Sequence, residues 1–339
     1  MIKKRIETLK KKFKYFNIDG YIIPKNDAFF SEYAENDRLK NISNFTGSAG
    51  LAIILKNKNY LFVDGRYTIQ SQKESGSNFK IIEIHKKLPH KIIKNCKLGF
   101  DPNLFTTDKL KYYFSNNNEL ISINENLIDK IFKNKIKKTK PFFSLSKKII
   151  GESHHSKIKK IISFLKLNKA DYLFVSAPEN VAWLLNIRGY DNPTSPIPNC
   201  RLIISKNKKL LLITEKNNIK KIINEKKINK NQVFNFDNFE KSIKKLKGVN
   251  FIIDNQSCSV FAEKIIKSRF NVISKKDPIY KLKSIKNSCE IKNMIEAHKK
   301  DGLALTRFIY WIKKINKKKI TEIDAQNKLE KFRRMSKYY

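Results

Sequence analysis

The amino-acid sequence predicts an α/β protein in which one mixed-sheet domain is present twice and is followed by two helices. Three observations support this prediction. Short apolar segments with strand character alternate with helical patterns, the same order of elements returns after about 150 residues, and the pattern becomes purely helical from Pro278. The length of 339 residues also suggests two or three domains, at about 100–200 residues each.

The first copy begins with a segment whose apolar residues at positions 2, 6, 9, 13 and 16 follow a 4, 3, 4, 3 spacing, which predicts an amphipathic helix over 2–16. Alternation and apolar runs predict the strands Gly20–Pro24, Leu51–Leu55, Tyr60–Val63, Phe79–Ile84 and Leu98–Phe100. Helices are expected near Tyr67–Glu74, Leu88–Lys94 and Thr107–Phe114. This alternation indicates a helix-covered sheet containing one antiparallel hairpin.

The second copy repeats this order after a cationic stretch, Lys133–Lys140, that reads as a linker. We expect a helix near Ser156–Leu167, the strands Asp171–Ser176, Leu202–Ser205, Leu210–Ile213 and Phe251–Asp254, and a helix near Val260–Ser268. The predicted domain limits are 1–135, 136–277 and 278–339.

The last segment predicts two long amphipathic helices. A stripe of Ile291, Ile295, His298, Gly302, Leu305, Ile309 and Ile312 runs over about six turns, and Thr321 with Asp324 resembles a capping box at the start of a second helix. Two such helices without a sheet cannot bury their apolar faces alone. We therefore expect that the chain is the front part of something longer or that these helices dock on a partner.

Charge and composition narrow the class of protein. There are 72 Lys and Arg residues against 31 Asp and Glu, giving a net charge of +41, yet only nine of the cations are Arg and the Lys residues are spread over every segment. Because phosphate and guanine recognition prefers Arg, a solvated lysine surface is favoured over nucleic-acid binding, which stays an alternative. Four widely spaced cysteines favour a reducing cytoplasm, and no apolar run approaches the length of a membrane span.

Several familiar catalytic signatures are absent from the sequence. It contains no HExxH, GxSxG, GxxxxGK[ST] or GxGxxG pattern. Among the five histidines, His154 and His155 are expected to be exposed polar residues, whereas His298 is expected to pack in a core. The segment Gly47–Gly50 is better explained as a tight turn before the hairpin than as a phosphate-binding loop.

Residues 64–67 are the most informative cluster. The sequence Asp-Gly-Arg-Tyr stands where a predicted strand ends and a helix begins, the place where α/β folds present residues to ligands. Asp64 can cap the helix, Gly65 frees the backbone, and Arg66 offers a planar fork suited to a carboxylate or a peptide carbonyl. Spacing alone leaves two interpretations for Arg66, a structural ion pair and a ligand contact.

These residues also resemble a known family. The segments Asp19–Pro24, Asp27, Ser31–Tyr33, Phe45–Gly50 and Asp64–Tyr67, in this order, resemble the N-terminal domain of Xaa-Pro aminopeptidases (aminopeptidase P) of the creatinase/prolidase "pita-bread" metallopeptidases. Val181–Gly189 with Asp191 and Pro196 is similar to the second domain of that family, and Lys283–Gly302 with Thr321–Arg333 is similar to the first helices of its catalytic domain.

The resemblance implies two tandem creatinase N-terminal-like domains followed by an incomplete pita-bread domain. It implies an enzyme that removes the N-terminal residue from peptides with proline second, using two divalent metals, usually manganese, that hold the attacking hydroxide. The family's metal ligands lie beyond Tyr339, so no metal or catalytic residue is assigned here, and the isolated chain is expected to bind no metal cofactor. The substrate-contacting residue that the resemblance does carry over is Arg66.

The resemblance also bears on partners. It implies a homodimer, or association with a separately encoded catalytic piece that would complete a peptide-binding enzyme. The alternative function is a non-catalytic scaffold or dimerisation module built from the same domains.

Overall fold

The computed structural model describes residues 2–33, 36–114, 118–132, 141–215, 219–225 and 227–337. It forms two compact units, one made of Met1–Ser144 and His154–Tyr280 and the other of Leu145–Ser153 and Lys281–Tyr339. The linker predicted over 133–140 lies outside the described residues. None of the described helices is both long and apolar enough to cross a membrane.

The first half of the first unit alternates strands and helices as the sequence predicts. The elements are α1 (Ile2–Lys10), β1 (Gly20–Pro24), α2 (Arg38–Ser43), β2 (Gly50–Leu55), β3 (Asn59–Val63), α3 (Thr68–Ser75), β4 (Lys80–Glu83), β5 (Lys97–Phe100), α4 (Thr107–Phe114), β6 (Glu119–Ser122) and α5 (Leu127–Ile131).

The elements that follow repeat that order. They are β7 (Phe143–Ser144), α6 (Lys147–Ile150), α7 (His154–Leu167), β8 (Tyr172–Val175), α8 (Pro178–Leu185), β9 (Ile187–Arg188), β10 (Arg201–Ser205), β11 (Leu210–Ile213), α9 (Lys220–Asn224), β12 (Val233–Phe234), α10 (Phe239–Lys244), β13 (Asn250–Ile253), α11 (Val260–Lys267) and β14 (Asn271–Ser274). Three further helices close the chain: α12 (Pro278–Ser284), α13 (Ser288–Lys314) and α14 (Glu322–Arg334).

The two large sheets have the same topology. The first has the strand order β4-β3-β2-β1-β5-β6 and the second β12-β11-β10-β8-β13-β14. In each sheet one strand, β2 or β10, is antiparallel to both neighbours, and the other pairings are parallel. The predicted α/β class and the predicted duplication are therefore confirmed. As a result, the carboxyl ends of β1, β3, β4 and β5 meet at one edge of the first sheet.

Both faces of the first sheet are buried. Along β1 every residue is buried, with Tyr21 and Ile23 in one apolar cluster and Ile22 in the other. The first cluster also holds Ile6 and Leu9 of α1, so the amphipathic stripe predicted at the N-terminus does face the core. A strand covered on both sides is the usual state of strands in a largely parallel sheet.

Some predicted elements are shorter than expected, and others were missed. The first helix ends at Lys10 and continues as turns rather than as a helix to residue 16, and the predicted helix near Leu88–Lys94 is a single 3-10 turn, Pro89–Lys91. Strands β6 and β14 at the sheet edges and the buried helix α8 were not predicted.

The two sheet domains contact each other within the first unit. The Val260 amide donates to the Phe105 carbonyl at 2.8 Å, and Thr106 forms an antiparallel bridge with Ser259. The buried Arg201 donates to the Ala28 carbonyl at 2.7 Å. These main-chain and buried contacts fix one domain against the other.

The second unit is built on α13 and α14. Both helices begin with capping boxes, Asn287 with Glu290 and Thr321 with Asp324, the second as the sequence predicts. The Arg333 Nε donates to Asp301 Oδ1 at 2.6 Å and links the two helices. The expectation of a packed His298 was wrong, because His298 is exposed and its Nδ1 lies 2.9 Å from the Met294 carbonyl of its own helix.

The apolar stripe of α13 remains exposed. Ile291 is 48% exposed, Ile295 51% and Leu305 42%, whereas Ala304, outside the stripe, is buried. Burying a large aliphatic side chain stabilises a fold by about 1.5–3 kcal/mol, so this helix lacks stabilisation that the sheet strands have. The second unit therefore has a weaker core than the first.

We expect the amides of α13 to exchange hydrogen faster than those of β3 and β13, because few buried side chains oppose local opening of this helix. Hydrogen exchange on a confirmed monomer, read by mass spectrometry, tests this. Protection of α13 equal to that of the strands would show that the second unit already has a complete core.

Candidate functional site

The turn after β3 is fixed by a cap that the sequence predicts and by a contact with the bend before β2 that it does not. The Asp64 carboxylate caps the 3-10 turn Gly65–Tyr67 by accepting from the Arg66 amide at 3.0 Å. The Tyr67 hydroxyl lies 2.9 Å from the Ser48 hydroxyl, so the turn is joined to the bend that precedes β2. A Cβ at Gly47 would lie 2.2 Å from the Phe45 ring, so glycine is required in that bend.

Arg66 forms an ion pair and still reaches solvent. Its Nε donates to Asp64 Oδ1 at 2.8 Å, its guanidinium lies 5.2 Å from the Tyr67 ring centre, and its side chain is 69% exposed. Within the described residues its two terminal nitrogens make no hydrogen bond, so the outer side of the fork can bind a carbonyl or carboxylate oxygen. The ion-pair interpretation of Arg66 is confirmed, and its ligand contact stays a prediction.

The charges around Asp64 keep it ionised. Hydrogen bonds from the Arg66 side chain and amide lower the pKa of Asp64 to about 2. His85, which follows β4, adds a weaker contact with Nε2 at 3.5 Å from Asp64 Oδ2. The carboxylate is thus a fixed negative anchor that orients Arg66.

Beside this turn lies a cavity of about 320 Å³, called here the edge cavity. Its walls come from the ends of β1 and β3 and the residues after them, from the bend before β2 and the first residues of β2, from the residues after β4, and from α4. They are Pro24, Lys25, Asn26, Phe30, Glu32, Ser48, Ala49, Gly50, Leu51, Phe62, Val63, Asp64, Ile84, His85, Lys109 and Tyr113. The cavity therefore opens at the carboxyl edge of a mostly parallel sheet, where open α/β folds bind ligands.

The second copy does not repeat this constellation. Strand β11 occupies the sheet position of β3, and the residues after it are Thr214 and Glu215 in place of Asp64 and Gly65. Thr214 is buried and its hydroxyl donates to the Asn199 carbonyl at 2.9 Å. The anchored arginine is thus a feature of the first copy.

The other histidines do not form a site with these residues. His155 is exposed as predicted, but the prediction for His154 was wrong, because its ring is half-buried. Burial and the adjacent His155 lower the pKa of His154 to about 4. In the ranges that the structure describes, no three His, Cys, Asp or Glu side chains are placed to hold a metal ion. No reaction step on a metal ion is therefore assigned to the described residues.

Two family models match the chain, both described as the creatinase/prolidase N-terminal domain. One matches residues 5–131 and the other residues 133–290, so together they account for most of the sequence. The chain belongs to the creatinase/prolidase family. The duplication seen in the two sheets corresponds to two domains of the same family type.

Several proteins of this family resemble the chain along nearly all of its length. Xaa-Pro aminopeptidase 1 of Dictyostelium discoideum is 32% identical over 373 residues, which cover 98% of this chain and 57% of that protein. Xaa-Pro aminopeptidase ApepP of Drosophila melanogaster is 30% identical, covering 93% of this chain and 55% of that protein. The chain therefore spans a little over half the length of these relatives.

A solved structure of the family shares the fold. The X-prolyl aminopeptidase of Caenorhabditis elegans, described as a cytosolic enzyme with a di-nuclear active site, superposes with a TM-score of 0.84. The match covers 100% of this chain and 60% of that chain at 22% identity. It confirms the predicted fold of the chain from its first sheet to its last helices.

We expect the substitution Arg66→Ala to raise the pKa of the Asp64 carboxyl from about 2 part of the way toward the ordinary value of about 3.9, because the side-chain hydrogen bond and the positive charge of Arg66 are lost while the backbone amide of residue 66 still donates to the carboxylate. A folded-state pKa below the unfolded one stabilises the fold above about pH 4, and that contribution is lost as the pH falls toward 2. Carboxyl ¹³C NMR between pH 2 and 6 measures the shift.

The substitution His85→Ala is the matched control, since its contact with Asp64 is longer and contributes least to the lowered pKa. An Asp64 pKa that moves equally in both variants would contradict the assignment to Arg66.

Proposed function

We propose that this chain is the N-terminal portion of an Xaa-Pro aminopeptidase and that it supplies the substrate-recognising Arg66. The observation that carries this proposal is the Asp64–Arg66 pair at the ligand edge of the first copy, in a chain whose relatives are Xaa-Pro aminopeptidases. The substrates are peptides with proline in second position.

The role of Arg66 follows from its surroundings. Asp64 holds the Nε side of the guanidinium, and the Tyr67 ring supports its face. The remaining nitrogens form a preoriented fork for a carbonyl or carboxylate of a bound peptide. The side chain thus loses little rotational freedom when it binds, which strengthens each hydrogen bond that it makes.

The hydrolytic step would take place in a catalytic domain, in the same polypeptide or in a partner. We propose the domain limits 1–135, 136–277 and 278–339, with the last segment as the first helices of the pita-bread domain. Family chemistry there uses two divalent metals, usually manganese. The free cysteines Cys96, Cys200, Cys258 and Cys289 support a cytoplasmic location.

A second candidate function is a non-catalytic scaffold or dimerisation module. It is favoured by the exposed apolar residues of α13 and α14, which include Ile295, Leu303 and Ile323. Contiguous exposed apolar surface marks association sites. Sequencing the transcript past Tyr339 separates the two, since a continuation carrying two Asp, one His and two Glu ligands identifies an enzyme.

We expect the purified chain to release no N-terminal residue from Xaa-Pro peptides when manganese is supplied, because its described residues bring no metal-binding carboxylates and histidines together. A chromatographic assay for the released amino acid tests this. Manganese-dependent release that a chelator abolishes would place the active site within this chain.

A chimera tests Arg66 directly. The chain is joined to the part of the Dictyostelium relative that follows the matched segment, and Arg66→Ala is expected to lower kcat/KM about 10- to 100-fold, a loss of about 1.4–2.7 kcal/mol. The loss should arise mainly in KM, because Arg66 binds the peptide and not the reacting centre. Lys73→Ala, an exposed change on α3, is the control.

An active chimera in which Arg66→Ala and Lys73→Ala are equally efficient would contradict the role of Arg66. Partial recovery in Arg66→Lys would support it, because a lysine keeps the charge and loses the planar fork.

A further inference from the structure

The edge cavity contains one cation that no acidic group neutralises. Lys109 points into it from α4, and its Nζ donates to the Asn26 side-chain oxygen at a long 3.4 Å. No carboxylate of the described residues lies within 4 Å of this ammonium. Lys109 is half-buried, and burial alone lowers its pKa.

The other charged groups of the cavity walls are already engaged. Lys25 is paired with Asp37, and Asp64 is paired with Arg66 and contacted by His85. Glu32 accepts a hydrogen bond from the Tyr33 hydroxyl, an interaction that raises the pKa of Tyr33. Lys109 is therefore the ammonium that a bound anion would neutralise.

Desolvating an ammonium without a counter-charge is unfavourable, and most lysines of this chain avoid it by standing in solvent. On α4 itself Lys111, two residues further on, is exposed. The placement of Lys109 inside a cavity at the ligand edge of the sheet is therefore the feature that points to an anionic ligand. A volume of about 320 Å³ is at the lower end of the range for small-molecule sites.

The apolar residues and the charges of the cavity walls favour one class of anion. Phe30, Phe62 and Ile84 give the cavity apolar surface, and a single ammonium matches a single negative charge. The carboxylates of Glu32 and Asp64 in the same walls repel a dianion such as phosphate about twice as strongly as a monoanion. We propose that the edge cavity is a binding site for a small monocarboxylate whose carboxylate pairs with Lys109 and whose apolar body contacts these walls.

This site differs from the peptide contact proposed for Arg66. Arg66 is not among the residues that line the edge cavity. Arg66 follows β3, whereas Lys109 follows β5, which lies on the opposite side of β1 in the sheet. Binding can therefore be measured on the full chain without any catalytic activity. A failure of either proposal leaves the other standing.

Isothermal titration of the full chain with sodium isovalerate tests the proposal, with isovaleramide as the uncharged analogue and inorganic phosphate as the dianion. Isovalerate should bind, isovaleramide and phosphate should bind at least about tenfold more weakly, and Lys109→Gln should weaken isovalerate binding by at least about tenfold. Lys111→Gln is the matched control and should leave the Kd within about twofold.

Absence of isovalerate binding, equal binding by the Lys109→Gln variant, or equal binding of isovaleramide or phosphate would overturn the proposal. A second measurement needs no variant and so does not depend on the folding of Lys109→Gln. Isovalerate should slow acetylation of Lys109 by acetic anhydride and leave that of Lys111 unchanged, as read by peptide mass spectrometry. Equal rates at Lys109 with and without isovalerate would also overturn it.

Discussion

The burial of β1 on both faces is the constraint on which the rest of the first domain depends. Its five residues, Gly20–Pro24, are all buried, and it pairs with antiparallel β2 on one side and parallel β5 on the other. Because both faces are packed, a slip of one residue would move side chains from one apolar cluster into the other and disrupt the packing of both. That register places the ends of β1, β3 and β4 together and so creates the edge cavity and the anchored Arg66.

Much of this architecture could be predicted from the sequence, because the signals are local or repeated. Apolar runs such as Leu51–Leu55 and Leu210–Ile213 mark strands buried on both sides. Because such runs recur in the same order, the sequence alone predicts the duplication that the two sheets confirm. The missed elements have physical reasons. Strands β6 and β14 lie at sheet edges with polar, half-exposed residues, and α8 is buried nearly all round, so it shows no amphipathic stripe.

In the candidate site, too, contacts between residues close in sequence could be predicted, whereas contacts between distant residues could not. The cap by Asp64 and its ion pair with Arg66 involve residues two apart, and sequence reasoning reached both. The contacts from Ser48, His85 and Lys109 depend on the order of strands in the sheet, which no local pattern encodes. His298 shows the opposite error, because a helical stripe predicts which residues share a face but not whether another surface covers that face.

Because lysine is in large excess in this chain, the lack of an acidic partner is informative only for a lysine that is removed from solvent. With 72 basic and 31 acidic residues, most ammonium groups must lack an acidic partner, and in solvent that costs little. Some of the few acidic residues fix an arginine, as Asp64 does beside Arg66 and Asp129 does beside Arg38. A lysine withdrawn from water without such a partner is therefore a departure from the pattern of the whole surface. Lys109 departs from that pattern at the sheet edge where the fold presents ligands, so its position points to binding and not to the charge of the surface.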